Sequence, residues 1–304
     1  MSEEFTLHKK LYINHLRNEK SVSENTIQAY SYDLDKFFDF AENELSIKKL
    51  SGITEDTLND FLKNLYSGKS KEKFSSKSVA RIISSLRSFF RYLDAEKVID
   101  INPAENIESP KTPKTLPEVL SIEEVAKILD QPETDNKLAL RDKALLETMY
   151  ASGLRVSEAI NLEISNVFFE EGFVRVFGKG SKERIVPIGK TALKFISKYI
   201  KESRNLLKGK NSYNFLFLNF RGGKLSRMGI LDIIKKYSSI AGIKKNVHPH
   251  TLRHSFATHM LQGGADIRII QEMLGHSDIS TTQIYTHIDK EYLIEVHKTF
   301  HPRG

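Results

Sequence analysis

The sequence predicts a mostly α protein with a small antiparallel β-sheet, an α+β fold divided into two domains. Three observations carry this reading. Apolar residues recur at helical spacing over much of the chain, two short β-rich runs flank a polar turn, and a proline- and lysine-rich stretch near residue 110 interrupts the pattern. A length of 304 residues agrees, since it exceeds a typical single domain.

The interruption reads Ser109-Pro-Lys-Thr-Pro-Lys-Thr-Leu-Pro117, with three prolines and two lysines and little to bury. Proline fixes φ and pushes the preceding residue toward extended conformations, so residues 109–117 are expected to be an extended basic linker. It separates a first domain, 1–108, from a second, 118–304.

The first domain reads as all-helical. Ser23 is placed to cap a helix whose apolar stripe is Ile27, Tyr30, Leu34, Phe37, Phe38 and Ala41. A second helix is expected over 54–65 and a third over 76–93. In the third, Val79, Ile83, Leu86, Phe90 and Leu93 share one face, while Lys77, Arg81, Ser84, Ser88 and Arg91 share the opposite one. Cations interleaved with small serines suit close approach to a nucleic-acid backbone; a merely solvated face has the same look.

In the second domain, Ser121-Ile-Glu-Glu124 has the form of a capping box, and a helix over 138–152 ends at Gly153. The runs 173–177 and 184–188 flank a polar 178–183 turn, a hairpin signal. Helices are expected over 250–262, from Asp266 to the Gly275 stop, in a short segment started by Ser280 and carrying Tyr285, and over 290–297.

Composition narrows the chemistry. Hydrophobic residues make up 39% of the chain, enough for real cores, and the net charge of +7 favours a polyanionic partner. There is no cysteine, which excludes disulfides, thiolate catalysis and cysteine-based zinc sites. The N-terminus shows no secretory leader and no stretch reaches the ~20 apolar residues of a membrane span, so a soluble, cytoplasmic protein without membrane insertion is expected.

His250 and Arg253, three apart, are neighbours on a helix surface, and a guanidinium matches phosphate oxygens bidentately. Taken alone, the pair reads as a surface histidine and a salt-bridging arginine. His248, His250, His254 and His259 raise the question of a metal, but His254 and His259 diverge on a helix and no carboxylate group accompanies them; no metal is expected. Arg155 lies at the start of a new helix, where an anion is welcome, with Glu158 one turn on to hold its guanidinium.

These pieces, with others, resemble the tyrosine recombinase (phage integrase) family, and most closely its bacterial Xer branch. The motifs are GLRVSE at 153–158, GKGSKER at 178–184, HPHTLRHSFATHML at 248–261, LGHSDISTTQIYTH at 274–287 and HPRG at 301–304, together with the S-x-N-T-I-x-A-Y start at 23–30 and the proline-rich linker. All occur in order at family-like spacing, and the resemblance spans nearly the whole chain.

The resemblance implies a two-domain DNA clamp, with a helical core-binding domain followed by a tyrosine-recombinase catalytic domain. It implies cutting and rejoining of DNA through a 3′-phosphotyrosyl intermediate, without metal, ATP or any cofactor. Arg155 and Arg253 look like the arginines that clamp the scissile phosphate, Lys179 like the acid for the leaving 5′ oxygen, and His250 like the histidine that manages the tyrosine proton. His276 resembles the second histidine, a donor to the phosphate, Tyr285 the nucleophile and Glu158 an acidic support. Of 11 tyrosines, Tyr285 is singled out only by its place after His276 in the motif.

The partners implied are double-stranded DNA, a homo- or hetero-tetramer with a second Xer recombinase on two DNA sites, and the FtsK translocase. The implied task is resolution of chromosome dimers at a dif-like site, with the C-terminal helix docking on a neighbouring protomer. Integrase- or transposon-type recombination and a catalytically silent DNA-binding protein are the alternatives.

Overall fold

A computed structural model describes residues 1–20, 22–67, 74–108, 118–178, 183–209, 214–275 and 290–304. The chain divides into two compact units, Met1–Thr115 and Leu116–Gly304.

The first unit holds four α-helices among its described residues: α1 (Glu3–Asn18), α2 (Glu24–Leu45), α3 (Glu55–Ser67) and α4 (Ser76–Ala95). Ser23 caps α2 by accepting from the Thr26 N–H, and Ser75 does the same for α4 through Ser78. The apolar stripes named above are buried, apart from the half-buried Tyr30: Ile27, Leu34, Phe37, Phe38 and Ala41 on α2, and Val79, Ile83, Leu86, Phe90 and Leu93 on α4. Aromatic rings bind the helices together, with Phe5 stacked on Phe38 at 4.4 Å and Phe37 edge-on to Phe61 at 5.3 Å. Helix α1 is not among the elements expected from periodicity. Only Phe5, Tyr12 and Leu16 of it are buried, and such a thin stripe is hard to distinguish from a polar segment.

The second unit is built around α6 (Lys137–Ser152), in which every residue from 140 to 152 is buried. It packs against α8 (Lys190–Tyr199) and α11 (Pro249–Gly263). The unit also holds α5 (Ile122–Asp130), α7 (Val156–Asn161) and the strands β1 (Val167–Phe168), β2 (Phe173–Phe177) and β3 (Glu183–Pro187). The sheet is antiparallel in the order β1-β2-β3, with Val174 opposite Val186 and Phe177 opposite Glu183. The hairpin is therefore as expected, with its second strand starting one residue earlier. Strand β1 is an addition; two residues carry no readable alternation. After α8 come a π-helical turn (Ile200–Arg204), the short α9 (Asn205–Leu207), α10 (Arg227–Ile240), α11, α12 (Ile267–Leu274) and α13 (Lys290–Phe300). The Ser121–Glu124 capping box and the Asp266 cap are both formed. Expectations for the 109–117 linker, for Lys179 and for 276–289 lie outside the described residues.

Helix α13 runs to Phe300 and packs on α11 and β3 of its own chain. His297 donates from Nε2 to the Ala151 carbonyl at 2.7 Å, and its ring stacks on His301 with centroids 4.7 Å apart. Arg303 pairs with the buried Glu147 of α6, which Lys143 also meets. The tail is thereby seated on the central helix.

Burial dominates the titration of both histidines. It pushes His297 down to about 4 and, with the positive charges of His297, His259 and Arg303, His301 down to about 2. A histidine kept neutral in the fold protects stability above its unfolded pKa and loses that contribution as pH falls below about 6.5. Asp33, Asp142 and Glu147, raised mainly by burial, act in the opposite sense. The difference between wild type and His301→Gln isolates the histidine. In denaturant titrations from about pH 7.5 to about pH 5, the wild type should lose about 2 kcal/mol relative to the variant; parallel pH curves would contradict this packing.

Candidate active site

Helix α6 ends at Gly153, which adopts φ +55, and a Cβ there would lie 2.6 Å from the Phe256 ring. That left-handed turn throws the chain directly into α7, with Arg155 as its N-cap residue. Glu158, in the first turn of α7, reaches back to accept the Arg155 N–H at 2.8 Å. The same carboxylate accepts Arg155 Nη1 at 2.9 Å.

Glu158 also receives a second guanidinium. Arg184 of β3 forks onto it, Nη1 to Oε1 at 2.6 Å and Nη2 to Oε2 at 2.9 Å. Only 2% of the Glu158 side chain is exposed. Burial pushes its carboxyl up, but the hydrogen bonds and charge of Arg184, then those from Arg155, outweigh burial and hold it below the ordinary carboxylate range.

The remaining donors go to helix ends. Arg184 Nε donates to the Met273 carbonyl at 3.0 Å, Arg253 Nη2 to Leu274 at 2.7 Å and Arg155 Nη2 to Gly275 at 2.8 Å. Arg253 Nη1 also takes the Gly153 carbonyl at 2.7 Å. The last carbonyls of a helix have no partner within it, and their partial negative charge favours cations. The ends of α6 and α12 thus serve as a cradle for three arginines.

The cluster holds more positive than negative charge. Arg253, 7% exposed, is lowered to about 10, first by burial and then by the charge of Arg155, with Glu158 opposing and Arg184 adding. Arg155 differs: 36% of its side chain is exposed, so its guanidinium is anchored on one side and open on the other. His250 lies in the first turn of α11, after the His248 cap and Pro249. Partial burial, then the charges of His248, His254, Arg253 and Arg155, lower its pKa, so it is neutral near pH 7.

The structure therefore brings together Arg155, Glu158, Arg253 and His250. Lys179, His276 and Tyr285 lie outside the described residues; the residue before His276 is Gly275, which accepts from Arg155. His259 faces the core and bonds Tyr150 at 2.8 Å and the Leu120 carbonyl at 2.9 Å, whereas His254 is exposed, so the two diverge as the helix requires. Among the described residues no group of three or more His, Cys, Asp or Glu converges as a metal site would.

Arg184 received no role from the sequence, although it lies in the quoted GKGSKER motif. Its signal was register: it stands opposite Val176 on the inward face of the hairpin. An arginine at an inward strand position needs a buried carboxylate.

In the first unit, Lys77 and Arg91 are exposed on α4. Arg81 is committed differently: it pairs with the fully buried Asp33 at 3.0 Å and donates to the Ala29 carbonyl at 3.2 Å. Burial raises Asp33 to about 6 against the pull of Arg81. Charge reversal at Arg81 would strand that carboxylate, so it is a poorer probe of a binding face than Lys77 or Arg91. No helix among the described residues is long and apolar enough to cross a membrane.

Known proteins resemble this chain along nearly its whole length. Residues 118–292 match the model of the phage integrase family, and residues 10–97 match the phage integrase N-terminal SAM-like domain. The tyrosine recombinase XerD of Chlorobaculum tepidum is 47% identical over 296 residues, covering 96% of this chain and 95% of that protein. The tyrosine recombinase XerD of Staphylococcus haemolyticus is 46% identical over 293 residues, covering 96% and 98%. Among solved structures, the XerH site-specific recombinase bound to palindromic difH substrate in a post-cleavage complex is 28% identical, with a TM-score of 0.68 over 88% of this chain and 78% of that one. With both domains in order, and with relatives matched along almost their full length, this chain belongs to the phage integrase family, the tyrosine recombinases.

Proposed function

We propose that this tyrosine recombinase resolves chromosome dimers at a dif-like site, with Tyr285 as the nucleophile and Arg155, Lys179, His250, Arg253 and His276 as the groups that act on the scissile phosphate. The observation that carries the reading is the cationic cluster itself. Arg155 is fixed by a buried carboxylate and a helix-end carbonyl and Arg253 by two helix-end carbonyls, near His250, whose pKa partial burial lowers. The relatives named XerD and the XerH–difH complex supply the substrate class.

The chemistry follows from charge. A phosphodiester is anionic, and its transition state places more charge on the non-bridging oxygens. Preorganised guanidiniums stabilise that charge where it develops. Tyrosine has a pKa near 10 and needs help to lose its proton; His250, neutral near pH 7, is an acceptor of the right kind. The Tyr285 Oη attacks phosphorus and the bond to the 5′ oxygen breaks. Lys179 protonates the leaving oxygen, and a 3′-phosphotyrosyl ester remains. In the reverse sense a 5′ hydroxyl from the partner strand attacks, the bond to Tyr285 breaks and the proton returns to the tyrosine. The ester conserves the bond, so no ATP is consumed and no water need be activated.

The assembly in this proposal is a tetramer on two duplex sites, formed with copies of itself or with a second Xer recombinase and activated by the FtsK translocase. On the first unit, Lys77 and Arg91 contact the DNA backbone.

A nicked suicide duplex tests the reading. Wild-type protein should form a 3′ covalent complex in the presence of a metal chelator, while Tyr285→Phe binds the duplex equally well and forms none; a complex from Tyr285→Phe would reassign the nucleophile. Lys179→Ala should slow cleavage by about a hundredfold, and a 5′-thio leaving group, which needs little protonation, should recover most of that loss. No rescue would remove Lys179 from its role. Lys77→Glu with Arg91→Glu should weaken binding and flatten its dependence on salt, each lost phosphate contact removing roughly one unit of slope. An unchanged slope would return that face to solvent.

A further inference from the structure

We infer that Arg184 is a positioning residue for the reaction, holding Arg155 in place through both of its anchors; the inference rests on reading Arg155 as a clamp on the scissile phosphate. Arg184 is 12% exposed. Both Nη atoms are spent on Glu158 and Nε on the Met273 carbonyl, so its fork is turned into the protein and not toward a ligand.

The first anchor of Arg155 is Glu158. Its Oε1 takes Arg155 Nη1 at 2.9 Å and Arg184 Nη1 at 2.6 Å, so one oxygen is shared by the two guanidiniums. Glu158 Oε2 takes the Arg155 backbone N–H and Arg184 Nη2. With Arg184 in place the carboxylate is held on both oxygens and has one orientation. Without it, a buried carboxylate keeps only the residue it is meant to orient, and the two can shift together.

The second anchor is the Gly275 carbonyl, 2.8 Å from Arg155 Nη2. Gly275 stands at φ +63, and a Cβ on it would lie 3.0 Å from both Cδ and Nε of Arg184. The Arg184 side chain is thus packed directly beneath that peptide while its Nε holds the preceding carbonyl of Met273. It joins β3, the first turn of α7 and the end of α12. Gly275 also leads directly into the segment with His276. Lysine cannot take this position, because an ammonium is a point donor and cannot bridge two carboxylate oxygens and a carbonyl in one plane.

A displaced guanidinium of about an ångström can cost about a hundredfold in rate while leaving DNA affinity intact. The test is single-turnover cleavage of a nicked suicide duplex carrying the host's dif-like site, compared with the same duplex bearing an uncharged methylphosphonate at the scissile position. The methylphosphonate has less charge to stabilise and depends less on Arg155. Wild type, Arg155→Ala, Arg184→Ala and Arg184→Lys are measured together, with the thermal midpoint and DNA Kd of each. Arg184→Ala should lose about tenfold to about a hundredfold on the phosphodiester at unchanged Kd, and most of the loss should vanish on the methylphosphonate, as for Arg155→Ala. Arg184→Lys, which keeps the charge and loses the fork, should stay at least about fivefold below wild type.

Wild-type cleavage by Arg184→Ala would overturn the inference. So would an equal loss on both substrates, which marks a general structural role, and so would full recovery in Arg184→Lys, which marks charge alone. If Arg184→Ala does not fold, Arg184→Gln and Arg184→Lys carry the same comparison. Absence of a covalent complex from wild type would overturn the recombinase reading itself, and a complex that Arg155→Ala does not weaken would overturn the clamp role on which the inference stands.

Discussion

The site depends on one buried carboxylate. Glu158, closed off from solvent, accepts from the Arg155 backbone, the Arg155 guanidinium and the Arg184 fork. A lone carboxylate in that position would be protonated or exposed; with these donors its ionised form is favoured over burial. A buried ion pair contributes little net stability compared with a well-packed apolar replacement, because desolvation offsets the attraction. Its contribution here is orientation, since a guanidinium fixed by two planar contacts has few other ways to point.

Three guanidiniums against one carboxylate leave an excess of positive charge at the ends of α6 and α12. The helix-end carbonyls offset part of it, and burial, with the charge of Arg155, brings Arg253 down to about 10. The arrangement keeps a net positive charge that an anion would offset. In the proposed reaction a phosphodiester would supply negative charge there, and its transition state would supply more. Catalysis by differential binding requires that the cluster hold that transition state more tightly than the bound phosphodiester, which the extra charge on the non-bridging oxygens favours.

Legibility in the sequence followed the length and contrast of each signal. Helices α2 and α4 were readable because broad aromatic and aliphatic stripes alternate with charged faces, and α6 and α12 because Gly153 and Gly275 stop them in left-handed turns. Helix α1 buries three residues and strand β1 has only two, so neither presents a period to recognise. Arg155, Glu158 and Arg253 were legible as residue types at motif spacing. What sequence spacing alone could not show is that Arg184, far from Glu158 in the chain, takes both of its oxygens. Nor could it show that Arg81, on a face read as free for DNA, is tied to a carboxylate beneath it. Both are long-range pairings between a half-buried arginine and a buried acid, and a sequence read segment by segment does not contain the partner.

The Glu158 charge orients the guanidiniums around it. Glu158→Gln keeps the shape and removes the charge, so its single-turnover cleavage rate, measured with DNA Kd on the same preparation, tests that claim most directly. A fall of about a hundredfold in rate at unchanged Kd is the predicted result. A rate equal to wild type would contradict the account.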